Sequence, residues 1–262
     1  MDDVRVSGWN ELNELLYERS WNQRLHRFRS SFAFRGQSDL GDGLLTGLAR
    51  LGGPPELEGH LLRNFRKYAQ REAVPGDSIW NWLAVAQHHG LPTRLLDWTF
   101  SPYVAMHFAT ENTDRYDRDG VIWCVDYSLT NQFLPARLAQ ILVEEGSDVF
   151  TAEMLSRASA TLQKFDRLSE ADFVVFLEPP SLDDRIVIQF ALFSLVSNPR
   201  LGLETWLAAH PDTFRRVIIP AGLKWEVRDK LDQANLTERV LYPGLDGLSR
   251  WLRRYYMPRN RE

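Results

Sequence analysis

The thirteen residues Gln87-His88-His89-Gly90-Leu91-Pro92-Thr93-Arg94-Leu95-Leu96-Asp97-Trp98-Thr99 constrain the fold more than any other stretch of this chain. A surface loop has no need of Leu-Leu-Asp-Trp, and a core strand has no need of Arg and Asp. Buried polar groups must be satisfied, so this segment has to run past a polar interior site. Arg94 and Asp97 are expected to pair with each other, with a neighbour or with a ligand. His88 and His89 sit just before Gly90, where adjacent histidines serve as helix-end packing groups or as ligands and bases.

The surrounding pattern predicts alternating helices and strands without strict βαβ order. Ser7 is placed to cap a helix carrying Trp9, Leu12, Leu15 and Leu16, and Phe32-Ala33-Phe34 alternates like a strand. Pro54-Pro55 opens a helix with Leu57, Leu61, Phe65 and Tyr68 in register. Asp77 or Ser78 starts another that Gly90 ends. Thr93 to Trp98 is a short strand, and Ser101-Pro102 is a helix start, serine at the cap and proline where its missing N–H costs nothing. Val121 to Tyr127 is a strand, and Thr130 to Glu170 is largely helical. Phe173 to Leu177 and Ile186 to Phe193 read as strands broken by a Pro-Pro turn, and Val217 to Ile219 as a last strand. Helices follow over Trp225 to Gln233 and Asp246 to Tyr256. No repeat, low-complexity tract or linker divides the chain. The expectation is one α+β domain over 1–262, with a small central sheet or sheets flanked by helices.

A hydrophobic fraction of 44% is enough for a large core, to which most of the nine tryptophans belong. The only cysteine, Cys124, lies in the apolar run Val121–Val125 and reads as an inert core thiol; no disulfide is possible within the chain and no structural zinc site is expected. The start, Met1-Asp2-Asp3-Val4, has no leader-like apolar stretch, and no run is long enough to span a bilayer, which makes the cytoplasm the expected location and a membrane an unexpected partner. A net charge of −4 argues against a surface that is wholly a nucleic-acid footprint. Two basic clusters stand out locally, Arg19, Arg24, Arg27, Arg29 and Arg35, and Arg250, Arg253, Arg254, Arg259 and Arg261. Each is either a polyanion patch or a solvated helix face.

Phe34-Arg35-Gly36-Gln37 leaves the end of a strand. The guanidinium of Arg35 can grip a phosphate or carboxylate with paired donors, and Gly36 lets a ligand approach the backbone. The plain alternative is an exposed arginine in a turn. Together, Phe34-Arg35-Gly36, the segment Gln87 to Thr99 with Ser101-Pro102, and the helix carrying Ala105, Phe108 and Ala109 resemble the FRG domain family, named for its Phe-Arg-Gly motif. The similarity runs on through Asp184-Arg185-Ile186, Gln189 and Phe193 to Tyr242-Pro243-Gly244-Leu245-Asp246-Gly247-Leu248, which implies a single FRG domain.

A second resemblance, to the ADP-ribosyltransferase fold, implies an activity. Those enzymes hold NAD with an Arg or His at an early strand end, followed by a Ser/Thr-rich strand and a helix of small residues. A carboxylate on a later strand completes the site. Arg35-Gly36 matches the first element, and Asp97-Trp98-Thr99 with Ser101 and Ala105 matches the second. Glu178 or Gln189 is the candidate for the third, since no Glu-x-Glu pair is present; Glu178 also reads as a turn residue and Gln189 as a strand-edge amide. The resemblance implies NAD as substrate, no metal, and a protein or nucleic acid as acceptor. It assigns Arg35, Glu178 and Gln189 to catalysis. It assigns Phe34, Arg35, Gly36, Gln37, His89, Thr93, Arg94, Asp97, Trp98, Thr99 and Ser101 to binding, with Trp98 stacked on nicotinamide. Two rival readings use the same residues. One is a non-catalytic nucleotide or nucleic-acid sensor; the other is a metal-dependent nuclease drawing on Asp97, Asp183 and Asp184.

Overall fold

The computed structural model describes residues 3–69, 76–181 and 183–258. The readings made on Met1, Asp2, Arg259 and Arg261 lie outside them. Seven strands form one sheet: β1 (Asp3–Arg5), β2 (Phe32–Gln37), β3 (Leu96–Thr99), β4 (Gly120–Asp126), β5 (Val174–Leu177), β6 (Ala191–Val196) and β7 (Phe214–Ile219). Their order is β1-β7-β4-β2-β3-β6-β5. Among the described residues only β1 and β7 pair in parallel as neighbouring strands; the other neighbours are antiparallel. The molecule is therefore α+β, with a seven-stranded sheet flanked by helices and a short separate hairpin at 21–28.

Strand β4 is central and apolar from Val121 to Val125 because helices or loops cover both faces, and all seven of its residues are buried. Cys124 lies inside it, and burial pushes its thiol up to about 12, so it is a packing group. One face of the sheet packs Trp98, Trp123, Leu192 and Phe176 together, and the other packs Phe34, Ile122 and Cys124 against helices. A third cluster, with Trp80, Phe165 and Phe173, lies among the helices beside β5 and β6.

Helix signals set the boundaries where a cap is present in the sequence. Ser78 accepts from the Asn81 backbone at 3.1 Å and starts α1 (Ile79–His88), after which Gly90 takes a φ of +80°. Ser101 accepts from the Val104 backbone at 3.3 Å, and Pro102 opens α2 (Pro102–Thr110). The helix near the N-terminus (Trp9–Tyr17) is capped differently from the expectation: Gly8 is its boundary residue, while Ser7 contacts Glu11.

Ile186 to Phe193 is not a strand. It divides into α3 (Asp184–Ile188), a turn at Gln189 and Phe190, and β6. Asp183 accepts from the Ile186 backbone at 3.1 Å and nucleates the helix, and Phe190 adopts a φ of +50° to redirect the chain. Val187 and Phe190, expected inside, are 60% and 57% exposed.

Gly36 is required by close packing. A Cβ there would lie 1.8 Å from the Ala105 carbonyl oxygen and 2.6 Å from the Ala109 nitrogen, both backbone atoms of α2. The missing side chain thus seats a helix rather than admitting a ligand. Gly36→Ala is expected to cost about 3 kcal/mol, because backbone cannot rotate out of the way. Urea denaturation beside the control Gly59→Ala, whose added methyl meets nothing within 4 Å, measures it. A Gly36→Ala midpoint equal to that of the parent would refute the packing role.

Candidate functional site

Strands β2 and β3 share a single paired position, Phe34 with Thr99. Beyond it both strands line a cleft of about 890 Å³, closed by the 42–50 segment, the end of α1, the segment after α2, α3 and Tyr242. Such a volume lies toward the upper end of small-molecule sites, about 300–1,000 Å³, and suits a ligand as large as a dinucleotide.

Arg35 leaves β2 into this cleft. Its Nη1 donates to the Asp97 carbonyl oxygen at 2.6 Å, while its Nε is buried without a partner. Among the described residues no carboxylate lies within ion-pair distance of it. Burial holds the guanidinium below its ordinary pKa, with Asp97 and Asp42 working against that and Arg50 adding to it. Arg50 and Arg185 also line the cleft, and neither has a carboxylate within 4.0 Å among the described residues. A half-buried cation with a buried, unpartnered donor is a costly arrangement that an anion relieves.

The remaining polar groups mostly hold the cleft in shape. Thr93 donates to Gln87 Oε1 at 2.6 Å, which turns the Gln87 amide so that Nε2 reaches both Asp97 oxygens at 3.0 and 3.1 Å. Thr99 donates to the Gln189 carbonyl at 2.7 Å and so fastens β3 to the turn before β6. Gln189 donates from Nε2 to the Leu241 carbonyl at 2.9 Å and leaves Oε1 without a hydrogen-bonding partner among the described residues. Gln37 accepts from Trp123 and donates to the Gly43 carbonyl at 3.1 Å, anchoring the loop over the opening. His88 meets Asp183 at 2.6 Å, and His89 is exposed at the rim.

Several sequence expectations are corrected by position. Arg94 does not pair with Asp97 and is not in the cleft wall. It is buried on the helical side, with Nε 2.6 Å from Glu58 and Nη1 2.6 Å from Asp166. Asp97 is exposed. Burial lowers the Arg94 pKa, but the two carboxylates outweigh it and keep the guanidinium charged. Trp98 touches the cleft yet is only 4% exposed; its indole N–H donates to Ser194 at 2.8 Å and its ring packs on Phe176, so it is a core residue. Thr93 and Ser101 lie behind the wall, as a brace and a helix cap. Glu178 is exposed at the end of β5 and does not line the cleft. Asp97, Asp183 and Asp184 form no cation site: among the described residues no group of three or more His, Cys, Asp or Glu is arranged to hold a metal ion.

The cleft also contains Glu111, braced from behind by buried groups, none of which the sequence singled out. Glu111 follows α2; it accepts from the Tyr242 hydroxyl at 3.0 Å and lies 3.4 Å from His107 Nε2. His107 is fully buried, its Nδ1 2.9 Å from Arg228 Nη1. A guanidinium nitrogen only donates, so Nδ1 accepts and the ring proton sits on Nε2, which lies near Glu111 without a hydrogen bond to it. Burial, with Arg228 adding to it and Glu111 opposing it, keeps His107 below its ordinary pKa and hence neutral. Lys224, wholly buried, donates to the Ser38 carbonyl at 2.6 Å and the Arg115 carbonyl at 2.8 Å, joining two parts of the cleft rim. Burial lowers its pKa to about 8, against the pull of Asp39 and Asp119. Glu111 and Lys224 gave no local signal, since each acquires its role from partners far along the chain.

Among the described residues no helix is long and apolar enough to cross a membrane. No curated protein and no solved structure matches the chain. A family model for the FRG domain matches residues 30–118. That span supplies β2, the 42–50 segment, α1, β3 and α2, the part of the cleft that holds Arg35, while α3, Gln189 and Tyr242 come from beyond it. Through residues 30–118 the chain carries an FRG domain.

Proposed function

We propose that the cleft binds NAD and transfers its ADP-ribose to an acceptor, in the cytoplasm. The carrying observation is Arg35, a half-buried guanidinium whose Nε is buried and unpartnered, at the wall of a cleft wide enough for a dinucleotide. In this reading Arg35, with Arg50 and Arg185, holds the pyrophosphate. The bond between the ribose C1′ and the nicotinamide nitrogen breaks, and its electron pair leaves with neutral nicotinamide. Positive charge then develops on the ribose and needs an anion beside it. Glu111 is the carboxylate placed for that task, held by the Tyr242 hydroxyl with His107 close by and available to take the proton lost by the attacking acceptor. Gln189 Oε1 accepts from a ribose hydroxyl. Glu178 has no part.

Incubation of the purified protein with NAD tests this. Nicotinamide release is expected, and Glu111→Gln is expected to lower turnover at least a hundredfold with little change in NAD affinity, because its role lies in the transition state. A second reading, a non-catalytic nucleotide-binding domain, is favoured by one feature: Thr99, Gln37, Asp97 and Gln189 Nε2 already spend their hydrogen bonds inside the protein. NAD binding without nicotinamide at any enzyme concentration would select it.

A further inference from the structure

The helix α4 (Leu245–Tyr255) carries a basic cluster that the cleft does not absorb. Arg254, near its end, is spent internally. It is buried and fixed by Asp232 at 2.6 and 2.8 Å and by Glu238 at 2.6 and 2.8 Å, with burial outweighed by these carboxylates so that its pKa is raised. Arg250 and Arg253 are different. Both are exposed, and among the described residues neither has a carboxylate within 4.0 Å.

They line a second groove of about 320 Å³ that shares Glu111, Asn112 and Tyr242 with the large cleft. The two cavities meet at the ring of Tyr242, with Arg185 of the cleft 5.5 Å and Arg250 of the groove 5.0 Å from its centre. Glu111, Asp114 and Glu238 also line the groove, so its field is mixed: Glu238 is taken up by Arg254, and the two unpaired arginines stand against Glu111 and Asp114, on the exposed side of α4. Past the groove, at the end of α4, Tyr255 and Tyr256 are 57% and 77% exposed.

We infer that this groove holds a single-stranded nucleic acid, its phosphates on Arg250 and Arg253 and a base on the exposed tyrosines, so that the strand reaches the cleft at Glu111. Unpaired arginines beside exposed aromatic rings are the combination that single strands use, since phosphate and base are both met. An acidic peptide would use the charges and leave the rings idle. That the strand is the acceptor of ADP-ribose rests on the transferase reading; that it binds in the groove does not.

Fluorescence anisotropy with a fluorescein-labelled 12-nucleotide single strand, as DNA and as RNA, tests the inference at low salt. Binding is expected, weakening steeply as salt rises. The double variant Arg250→Gln/Arg253→Gln should lose at least tenfold in affinity. Arg24→Gln/Arg27→Gln, which removes the same charge from the exposed hairpin at 21–28, should lose less than twofold. Tyr256→Ala should lose threefold or more. The inference falls if neither strand binds at low salt or if the two double variants weaken binding equally. It also falls if poly-glutamate competes as well as unlabelled strand, which would point to an acidic protein. If the strand binds as expected but no nicotinamide is released from NAD, the transfer reading fails and the groove stands.

Discussion

Arg35→Met is expected to lose roughly a hundredfold or more in affinity for NAD, the equivalent of one or two charge-assisted hydrogen bonds, while its stability stays within about 1 kcal/mol of the parent. The two halves follow from one arrangement. Arg35 is a half-buried cation, its Nε shut off from water, with one hydrogen bond, to the Asp97 carbonyl, and no carboxylate partner among the described residues. Its charge costs the folded state free energy, and a methionine of similar length removes that cost along with the hydrogen bond. A ligand that brings an anion loses its main contact. Arg35→Lys keeps the charge but not the planar fork, so it should recover only part of the affinity. Calorimetric titration with NAD and a thermal melt of the same samples measure both halves. Unchanged affinity in Arg35→Met would place the ligand elsewhere, and a fall of 3 kcal/mol or more in stability would make Arg35 a framework residue.

Glu58→Ala should be among the most destabilising single changes in the protein, by about 3–5 kcal/mol and roughly 10 °C in melting temperature. Glu58 is buried at 3% side-chain exposure and binds Arg94 twice, at its Nε (2.6 Å) and at its backbone nitrogen (2.9 Å). Removing it leaves a buried guanidinium with Asp166 alone and an unsatisfied backbone donor. The double replacement Glu58→Leu/Arg94→Met removes both charges, and should recover most of the loss. Asp97→Asn, by contrast, should shift stability by less than about 0.5 kcal/mol, since Asp97 is exposed and tied only to Gln87 through its side chain. A Glu58→Ala melt within about 1 kcal/mol of the parent would sink this account of the pair.

These two results separate residues that stand together in the sequence. Gln87 to Thr99 was legible as a segment with polar work to do, and its two ends line the cleft. Which of its residues face the cleft was not legible. Arg94 and Asp97 lie three positions apart, yet one turns into the helical layer and the other to the opening. Trp98 reads as a stacking ring by type, and only the position of Ser194 and Phe176 makes it a core residue. Ile186 to Phe193 misleads because apolar residues in a row suit a buried strand as well as a short helix and a turn. The capping bond of Asp183 and the left-handed Phe190 decide between them.

Local signals carried the rest. Serine caps at Ser78 and Ser101, Pro102 at a first helical position and the unbroken apolar run Val121–Val125 depend on neighbours a few residues away, so the chain states them outright. Arg35 beside the Phe32–Phe34 strand pattern was visible for the same reason, though the strand does not end there: it runs on to Gln37, because Arg35, Gly36 and Gln37 pair with Trp123, Ile122 and Val121. Partner choice is another matter. Glu58 meets Arg94 across 36 positions, Asp166 meets it across 72, and Tyr242 reaches Glu111 across 131. Gly36 is glycine because α2 crosses it at contact distance, a demand that exists only once strand and helix have packed. Caps, periodicity and the arginine of the motif belong to the sequence because they act over one turn or one strand. Whether a charge is a site or a brace belongs to the tertiary structure, because burial and the nearest opposite charge settle it.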